Sequence, residues 1–393
     1  MREIRDSALA RRMAAEIESL REHGQLRALE HPAGINLCSN DYLGLATDPR
    51  LKNAVADAIA RTAAVGSTGS RLLSGNAREW EQLETTFARF AGTEAALYFG
   101  SGYAANIGLL SSVFETGDVI FSDSLNHASL IDGIRLSRAT KVIYPHGDVA
   151  FLENALREHS HHPGAKVIVT ETVFSMEGDV APLDSLLRLA RDCGAELILD
   201  EAHATGVLGP QGRGVGASVG ATREIFAIVH TCGKALASAG ASVCCSELLR
   251  QYLVNRARTF IFSTAMPPYF AGQICAALDL SIGADRERAE LRSLADLLRG
   301  ELRAAGVAVG ASETQIVPVM CGTNEAALHV ASVLQETGFA VRAIRPPTVP
   351  AGTARVRLSL TAKITPADVL RLSKTIRAAF DSLPSHPATI LVR

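Results

Sequence analysis

Between about residues 46 and 275, short and largely apolar runs alternate with stretches of helical periodicity. No other feature of the chain constrains its fold as much. The runs are Ala95–Phe99, Val119–Ser122, Lys141–Tyr144, Val167–Thr170, Leu197–Leu199, Phe226–His230 and Ala241–Cys245. Strands buried on both faces read as such runs rather than as alternating patterns. Intervening stretches such as Leu183–Cys193 repeat their apolar residues at helical spacing. Strand–helix–strand repetition predicts an α/β fold with a mostly parallel sheet covered on both faces. In such sheets ligands collect at the carboxyl ends of the strands.

The texture changes on either side of this block. Near the start, Ile4, Ala8, Met13, Ile17 and Leu20 share roughly one face of a helix expected over 4–23, and Ile35–Cys38 reads as extended. After about 276, a long charged helix is expected from Ile282 to Ala305. Strands follow around Val317–Met320 and Val356–Leu360, then a closing helix over Pro366–Phe380. The expected division is an N-terminal helix and segment (1–45), a large domain (46–280) and a smaller α+β domain (281–393).

Composition excludes some classes. Of 393 residues, 47% are apolar and 20% charged, and the formal net charge is −2. That is the balance of a soluble globular protein with no basic stripe for nucleic acid. The seven cysteines form no CxxC pair or zinc-type spacing, so buried free thiols in a reducing compartment are expected, and no metal. No apolar run is long enough for a bilayer and the N-terminus lacks a signal-peptide core, so a cytoplasmic location is expected.

Four segments carry candidate chemistry. Asp200-Glu201-Ala202-His203 follows a buried strand, so Asp200 stands at a strand's carboxyl end. Such an acid could bind a metal, protonate a substrate, pair with a cationic ring nitrogen, or only cap the next helix. His230-Thr231-Cys232-Gly233-Lys234 follows another strand. Small neighbours leave Lys234 room for a bulky adduct, but a surface lysine is the plainer reading. A P-loop is excluded, because no glycine stands five residues before Gly233 and no Ser or Thr follows Lys234. In Phe99-Gly100-Ser101-Gly102-Tyr103, a strand leads through glycine-flanked residues into a helix, a geometry that suits a phosphate. Finally, Arg355 and Arg357 lie two apart in an expected strand, so both point to one face. Either could grip a carboxylate in a bidentate fork. His127 alone reads as an ordinary structural histidine.

Together these segments are more specific. CSNDYLGL (38–45), GSTGSRLLSGN (66–76), GSGYAAN (100–106), DSLNHASLIDG (123–133), TETVFSMEGDVAPL (170–183), DEAHATGVLG (200–209), TCGKAL (231–236), FSTAMPP (262–268) and VPAGTARVRLSLTA (349–362) occur in this order. The chain resembles the α-oxoamine synthase family of fold-type I pyridoxal-phosphate (PLP) transferases over essentially its whole length. The resemblance implies a large domain with a mostly parallel sheet, a smaller α+β C-terminal domain, and PLP as cofactor. It also implies decarboxylative condensation of an amino acid with an acyl thioester. The motifs look most like the branch that joins L-alanine to a pimeloyl group carried on CoA or acyl-carrier protein. Glycine C-acetyltransferase, 5-aminolevulinate synthase and serine palmitoyltransferase share nearly all of them, and a plain aminotransferase would use the same lysine and aspartate.

The resemblance also implies residue roles. Lys234 would hold the cofactor as a Schiff base and move the Cα proton. Asp200 would keep the ring nitrogen protonated, His203 would bond the phenolic oxygen, and His127 would stack on the ring. Ser101, Gly102, Tyr103 and Thr231 would bind the phosphate, and Ser175 would line the same pocket with Glu171. Ser263 and Thr264 would reach the cofactor of a second subunit, which implies a homodimer. Arg357, favoured by the family over Arg355, would hold the substrate carboxylate with Asn40, and Arg21 would lie near the acyl group. The family often has glycine at the position of Ala237, and Ser67-Thr68-Gly69 replaces a commoner Ser-Gly-Gly.

Overall fold

The structure, a computed structural model, describes residues 7–383. A two-residue strand, β1 (Ile35–Asn36), precedes a central sheet of seven. Its strands are β2 (Ala95–Phe99), β3 (Val119–Asp123), β4 (Thr140–Tyr144), β5 (Lys166–Glu171), β6 (Glu196–Asp200), β7 (Ala227–Thr231) and β8 (Ala241–Cys245). The spatial order is β2-β8-β7-β6-β5-β3-β4. Neighbours are parallel from β7 to β4, and β8 runs antiparallel to both β2 and β7. This is the α/β fold expected from the alternating runs.

The sheet separates two apolar layers. Val119, Phe121, Leu197 and Leu199 face one, and Ile120, Val167, Val169 and Ile198 face the other. Strands buried on both sides need apolar residues at every position, which is why their sequence does not alternate. Edge strand β4 differs, with Thr140, Lys141 and Ile143 exposed.

A second, three-stranded sheet has β9 (Ile316–Gly322), β11 (Ala343–Ile344) and β12 (Ala354–Ser359) in the order β11-β12-β9, all antiparallel. The short β10 (Phe339–Ala340) pairs in parallel with β1. The chain after β1 keeps to this sheet: Ser359 N donates to Leu37 O at 2.9 Å and Ala362 N to Tyr42 O at 2.9 Å. Asn40 and Tyr42 are thereby carried beside β12.

The long charged helix expected over Ile282–Ala305 spans Asp285–Ala304, and a separate helix, Tyr269–Ile282, ends just before it. Arg288 reaches back across the break to the carbonyls of Ser281 (2.5 Å) and Ile282 (3.1 Å), satisfying acceptors that a helix end leaves free. The N-terminal helix spans Ala8–Glu22 but buries none of its residues, and Leu9, Met13 and Ile17 are exposed. Ile4 lies outside the described residues. The helix Asn324–Glu336 was not foreseen. The seven cysteines are free thiols: Cys232, Cys244, Cys245 and Cys321 are buried, whereas Cys38, Cys193 and Cys275 are only half-buried. Among the described residues no helix is long and apolar enough to cross a membrane.

Candidate active site

The carboxyl ends of β5, β6 and β7 converge. Glu171 and Asp200 are register partners at the ends of β5 and β6, and Thr231 ends β7. Beyond Thr231, Cys232 N donates to Gly240 O and Ser238 N to Cys232 O, both at 2.8 Å. These bonds close a loop that carries Lys234. The Lys234 amine lies 2.8 Å from His203 Nε2. Burial pulls the Lys234 pKa down to about 8, against the charges of Asp200 and Glu171. The same burial, with the positive charges of Lys234 and Arg357, holds His203 far below the ordinary histidine range.

Asp200 is buried and accepts from Ala202 N at 2.9 Å and from the Asn106 amide at 2.7 Å. Asn106 sits on the helix Gly102–Val113 and also donates to Ser129 Oγ at 2.9 Å. Ser129 Oγ is in turn 2.8 Å from His127 Nδ1. Burial lowers the His127 pKa, so its ring is neutral at pH 7. Burial also pushes the Glu171 carboxyl well above its usual range, with the Asp200 charge adding to the effect.

Two features of this geometry fit a bound phosphorylated heterocycle. Among the described residues Asn106 Oδ1 and Glu171 Oε1 are buried acceptors without a partner, a costly state unless something donates to them. Gly102 starts its helix directly against Thr231: a Cβ there would meet Thr231 Cγ2 at 2.8 Å. Ser101 caps that helix through Ala104 N at 3.0 Å. The N–H groups of Gly102 and Tyr103 lie in its first turn, where a helix offers no acceptor and an anion is favoured.

A hydrogen-bonded chain leaves His203 on its other side. His203 Nδ1 lies 2.6 Å from the Tyr42 hydroxyl, which is 3.1 Å from Asn40 Oδ1. Arg357 donates twice to that oxygen at 3.1 Å, and Ser359 Oγ donates to it at 3.2 Å. Arg357 also donates through Nε to the Ser175 carbonyl. The structure therefore separates the two strand arginines. Arg355, two residues back, is held by Glu177 at 2.9 Å and by Met176 O at 3.1 Å.

The expected residues thus divide. Lys234, His203, Asp200, Glu171, His127, Asn40, Ser175 and Arg357 come together, and Gly102 meets Thr231. The Thr231 hydroxyl donates to Ala202 O at 3.3 Å. Tyr103 lies in the first turn of the helix Gly102–Val113, and its half-exposed ring stands edge-on to His127 at 6.2 Å. Ser263 and Thr264 are exposed on a segment where Thr264 pairs with Ser70. Arg21 lies on the exposed N-terminal helix, paired with Glu18. Among the described residues, no hydrogen bond joins these last three to the Lys234 network. Sequence reasoning missed Tyr42, Asn106, Ser129 and Ser359 as site residues, although all four lie inside quoted motifs: CSNDYLGL, GSGYAAN, DSLNHASLIDG and VPAGTARVRLSLTA. A cleft of about 890 Å³ between the loop after His203 and the helix Asp285–Ala304 is not lined by any of the clustered side chains.

The chain matches the class I and II aminotransferase family over residues 32–376. It is 46% identical to the 8-amino-7-oxononanoate synthase of Geobacter sulfurreducens, over 92% of this chain and 96% of that protein. A serine palmitoyltransferase from S. paucimobilis, solved with a bound PLP–myriocin aldimine, has a TM-score of 0.88 at 30% identity, covering 96% of this chain and 99% of that one. An 8-amino-7-oxononanoate synthase from Francisella tularensis has a TM-score of 0.77 at 29% identity, covering 88% and 98%. With a family match across most of its length and relatives of this identity, the chain belongs to the class I and II aminotransferase family and, within it, to the fold-type I PLP-dependent α-oxoamine synthases.

Proposed function

We propose that this protein condenses L-alanine with a pimeloyl thioester, on CoA or acyl-carrier protein, to give 8-amino-7-oxononanoate, CO2 and the free thiol. A carbon–carbon bond forms between alanine Cα and the acyl carbon. The thioester C–S bond and the bond from Cα to its carboxylate break. PLP, when bound, supplies an electron sink for the negative charge that develops at Cα.

Backbone N–H groups of Gly102 and Tyr103, with Ser101 and Thr231, would hold its phosphate. Asp200, fixed by Asn106, would face its ring nitrogen, His127 its ring face, and His203 its phenolic oxygen. Lys234 would tether it. Lys234 also takes the proton from alanine Cα and later returns one. An amine whose pKa is brought down to about 8 suits that exchange near neutral pH.

One arrangement carries the amino-acid half of this reading. Asn40 Oδ1 receives two N–H groups from Arg357, one hydroxyl from Tyr42 and one from Ser359. A carbonyl oxygen has only two lone pairs, so it cannot serve all four donors at once, although Arg357 Nη1 also donates to Ser359 Oγ at 2.6 Å. An arriving carboxylate brings about four lone-pair sites and suits the guanidinium fork. The acyl half is supported by the relatives named 8-amino-7-oxononanoate synthase. We infer a homodimer as well, in which Ser263 and Thr264 would serve the partner's site, and Arg21 would lie near the acyl group.

The test is a screen of L-alanine, glycine and L-serine against acyl thioesters of several lengths, read by thiol release. Alanine with the pimeloyl thioester should turn over fastest. Preference for glycine with acetyl-CoA, or serine with palmitoyl-CoA, would overturn the assignment. Amino transfer to a keto acid without thiol release would point to an aminotransferase.

A further inference from the structure

The chain from Lys234 to Arg357 has a fixed polarity, and it can be worked out from one end. Arg357 has donors only. Asn40 therefore turns its oxygen, not its amino group, toward Arg357, and both terminal guanidinium nitrogens lie 3.1 Å from Oδ1. Tyr42 sits 3.1 Å from the same oxygen, so its hydroxyl must donate there. A phenol has a single proton. Toward His203 Nδ1, at 2.6 Å, Tyr42 can then only accept, so Nδ1 carries the imidazole proton. His203 is fully buried among Lys234, Arg357 and His127, and its ring is neutral. Nε2 is left with a lone pair, and it faces the Lys234 amine at 2.8 Å.

We propose that Tyr42 is a positioning residue that passes the polarity of the Arg357–Asn40 pair to His203, fixing the tautomer whose Nε2 accepts from Lys234. The carboxylate clamp and the proton-transferring amine are thereby one hydrogen-bonded unit. Tyr42 suits that task. It is fully buried with its ring 6.1 Å from the His203 ring, and its backbone carbonyl is tied to Ala362 N at 2.9 Å. Burial also pushes its phenol pKa upward, so the hydroxyl keeps its proton. This inference rests on the proposed role of Lys234 as the base, but its test does not.

In Tyr42→Phe, Nδ1–H loses its acceptor. The proton can then move to Nε2, where it opposes a protonated Lys234. The other charges near Lys234, on Asp200, Glu171 and Arg357, are unchanged. Two measurements on the full chain freed of cofactor decide the matter. Nitrogen-15 NMR of the histidines should place the His203 proton on Nδ1 in the wild type, and on Nε2 or on both nitrogens in the variant. Competitive labelling with acetic anhydride, with Lys234 located by mass spectrometry, should give an amine pKa lower by about one unit in the variant. In the PLP-loaded enzyme, kcat should fall by about tenfold or more while KM for alanine moves less than about threefold. An Nε2–H tautomer in the wild type, or identical Lys234 titration in both proteins, would refute the role of Tyr42 even if alanine remains the substrate. Conversely, if no thiol is released from any acyl donor, the functional reading fails while the labelling result still decides on Tyr42.

Discussion

His146 stands between two carboxylates. Its Nδ1 is 3.0 Å from Asp123, at the end of β3, and its Nε2 is 2.8 Å from Asp179. Its ring packs edge-on against Phe174 with centroids 4.3 Å apart. Burial alone would lower its pKa, but the hydrogen bonds and charges of Asp123 and Asp179 raise it to about 10. Asp179 lies four residues after Ser175, whose carbonyl receives Arg357, so a protonated His146 clamps the loop that meets the carboxylate grip. The folded pKa lies above the value of about 6.5 for an unfolded histidine. The stabilisation is therefore fully present below pH 6.5 and is lost as pH rises toward 10. Urea midpoints should fall between pH 6 and pH 9.5, and His146→Gln should flatten that dependence. Equal slopes in the two proteins would show that the clamp contributes nothing. None of this was legible in the sequence, because His146 shares no motif with Asp179 and only the fold brings them together. Lys234, Asp200 and His203 were legible, since each follows a buried run and so falls at a strand end. Spacing could not choose between Arg355 and Arg357; the resemblance favoured Arg357, and the structure shows a physical reason to separate them. Both side chains lie on one face of β12, and only the offset along the 175–177 loop gives Glu177 to one and Asn40 to the other.

Among elements, the buried strands were readable to within a residue or so, because burial on both faces leaves a continuous apolar run. The limits of the named helices were nearly as readable, since Leu183–Cys193 matches and Pro366–Asp381 differs by one residue at its end. The break at Gly283 depends on Arg288 capping carbonyls several residues back, which periodicity does not report. The loop after Lys234 carries a signal that the sequence held but did not explain. Ala237 has φ of +44°, the left-handed region, at the position where the family often has glycine. A left-handed alanine costs about 1–2 kcal/mol, and glycine gives back about 0.5–1 kcal/mol of that in chain entropy. The loop is pinned by bonds of 2.8 Å from Cys232 to Gly240 and from Ser238 to Cys232, so Ala237 cannot relax. Ala237→Gly should raise stability by up to about 1 kcal/mol, read from urea unfolding. A destabilised variant would mean that the loop holds Ala237 without strain.

At the scale of the whole molecule, the residues that one chain does not join to Lys234 form a pattern of their own. Ser263 and Thr264 are exposed, and beside them Phe262 is 70% exposed. Leu72 and Leu73, near the Ser70–Thr264 bridge, are 49% and 84% exposed. Large apolar side chains gathered around two hydroxyls that would serve a phosphate are the composition of an interface core. The exposed Leu9, Met13 and Ile17 of the N-terminal helix add further apolar surface. If each site takes Lys234 from one subunit and Thr264 from the other, two defective chains should complement. Thr264→Glu puts a negative charge where a phosphate would lie, and Lys234→Ala removes the tether and base. A hybrid of these two chains has one site with both defects and one with neither. Co-expressed with different tags and purified through both, the hybrid should recover about half of the wild-type rate per dimer, while each variant alone stays nearly inactive. Sites built within single chains would leave every site of the hybrid defective, and activity no higher than that of the two parents would rule out sharing across the interface.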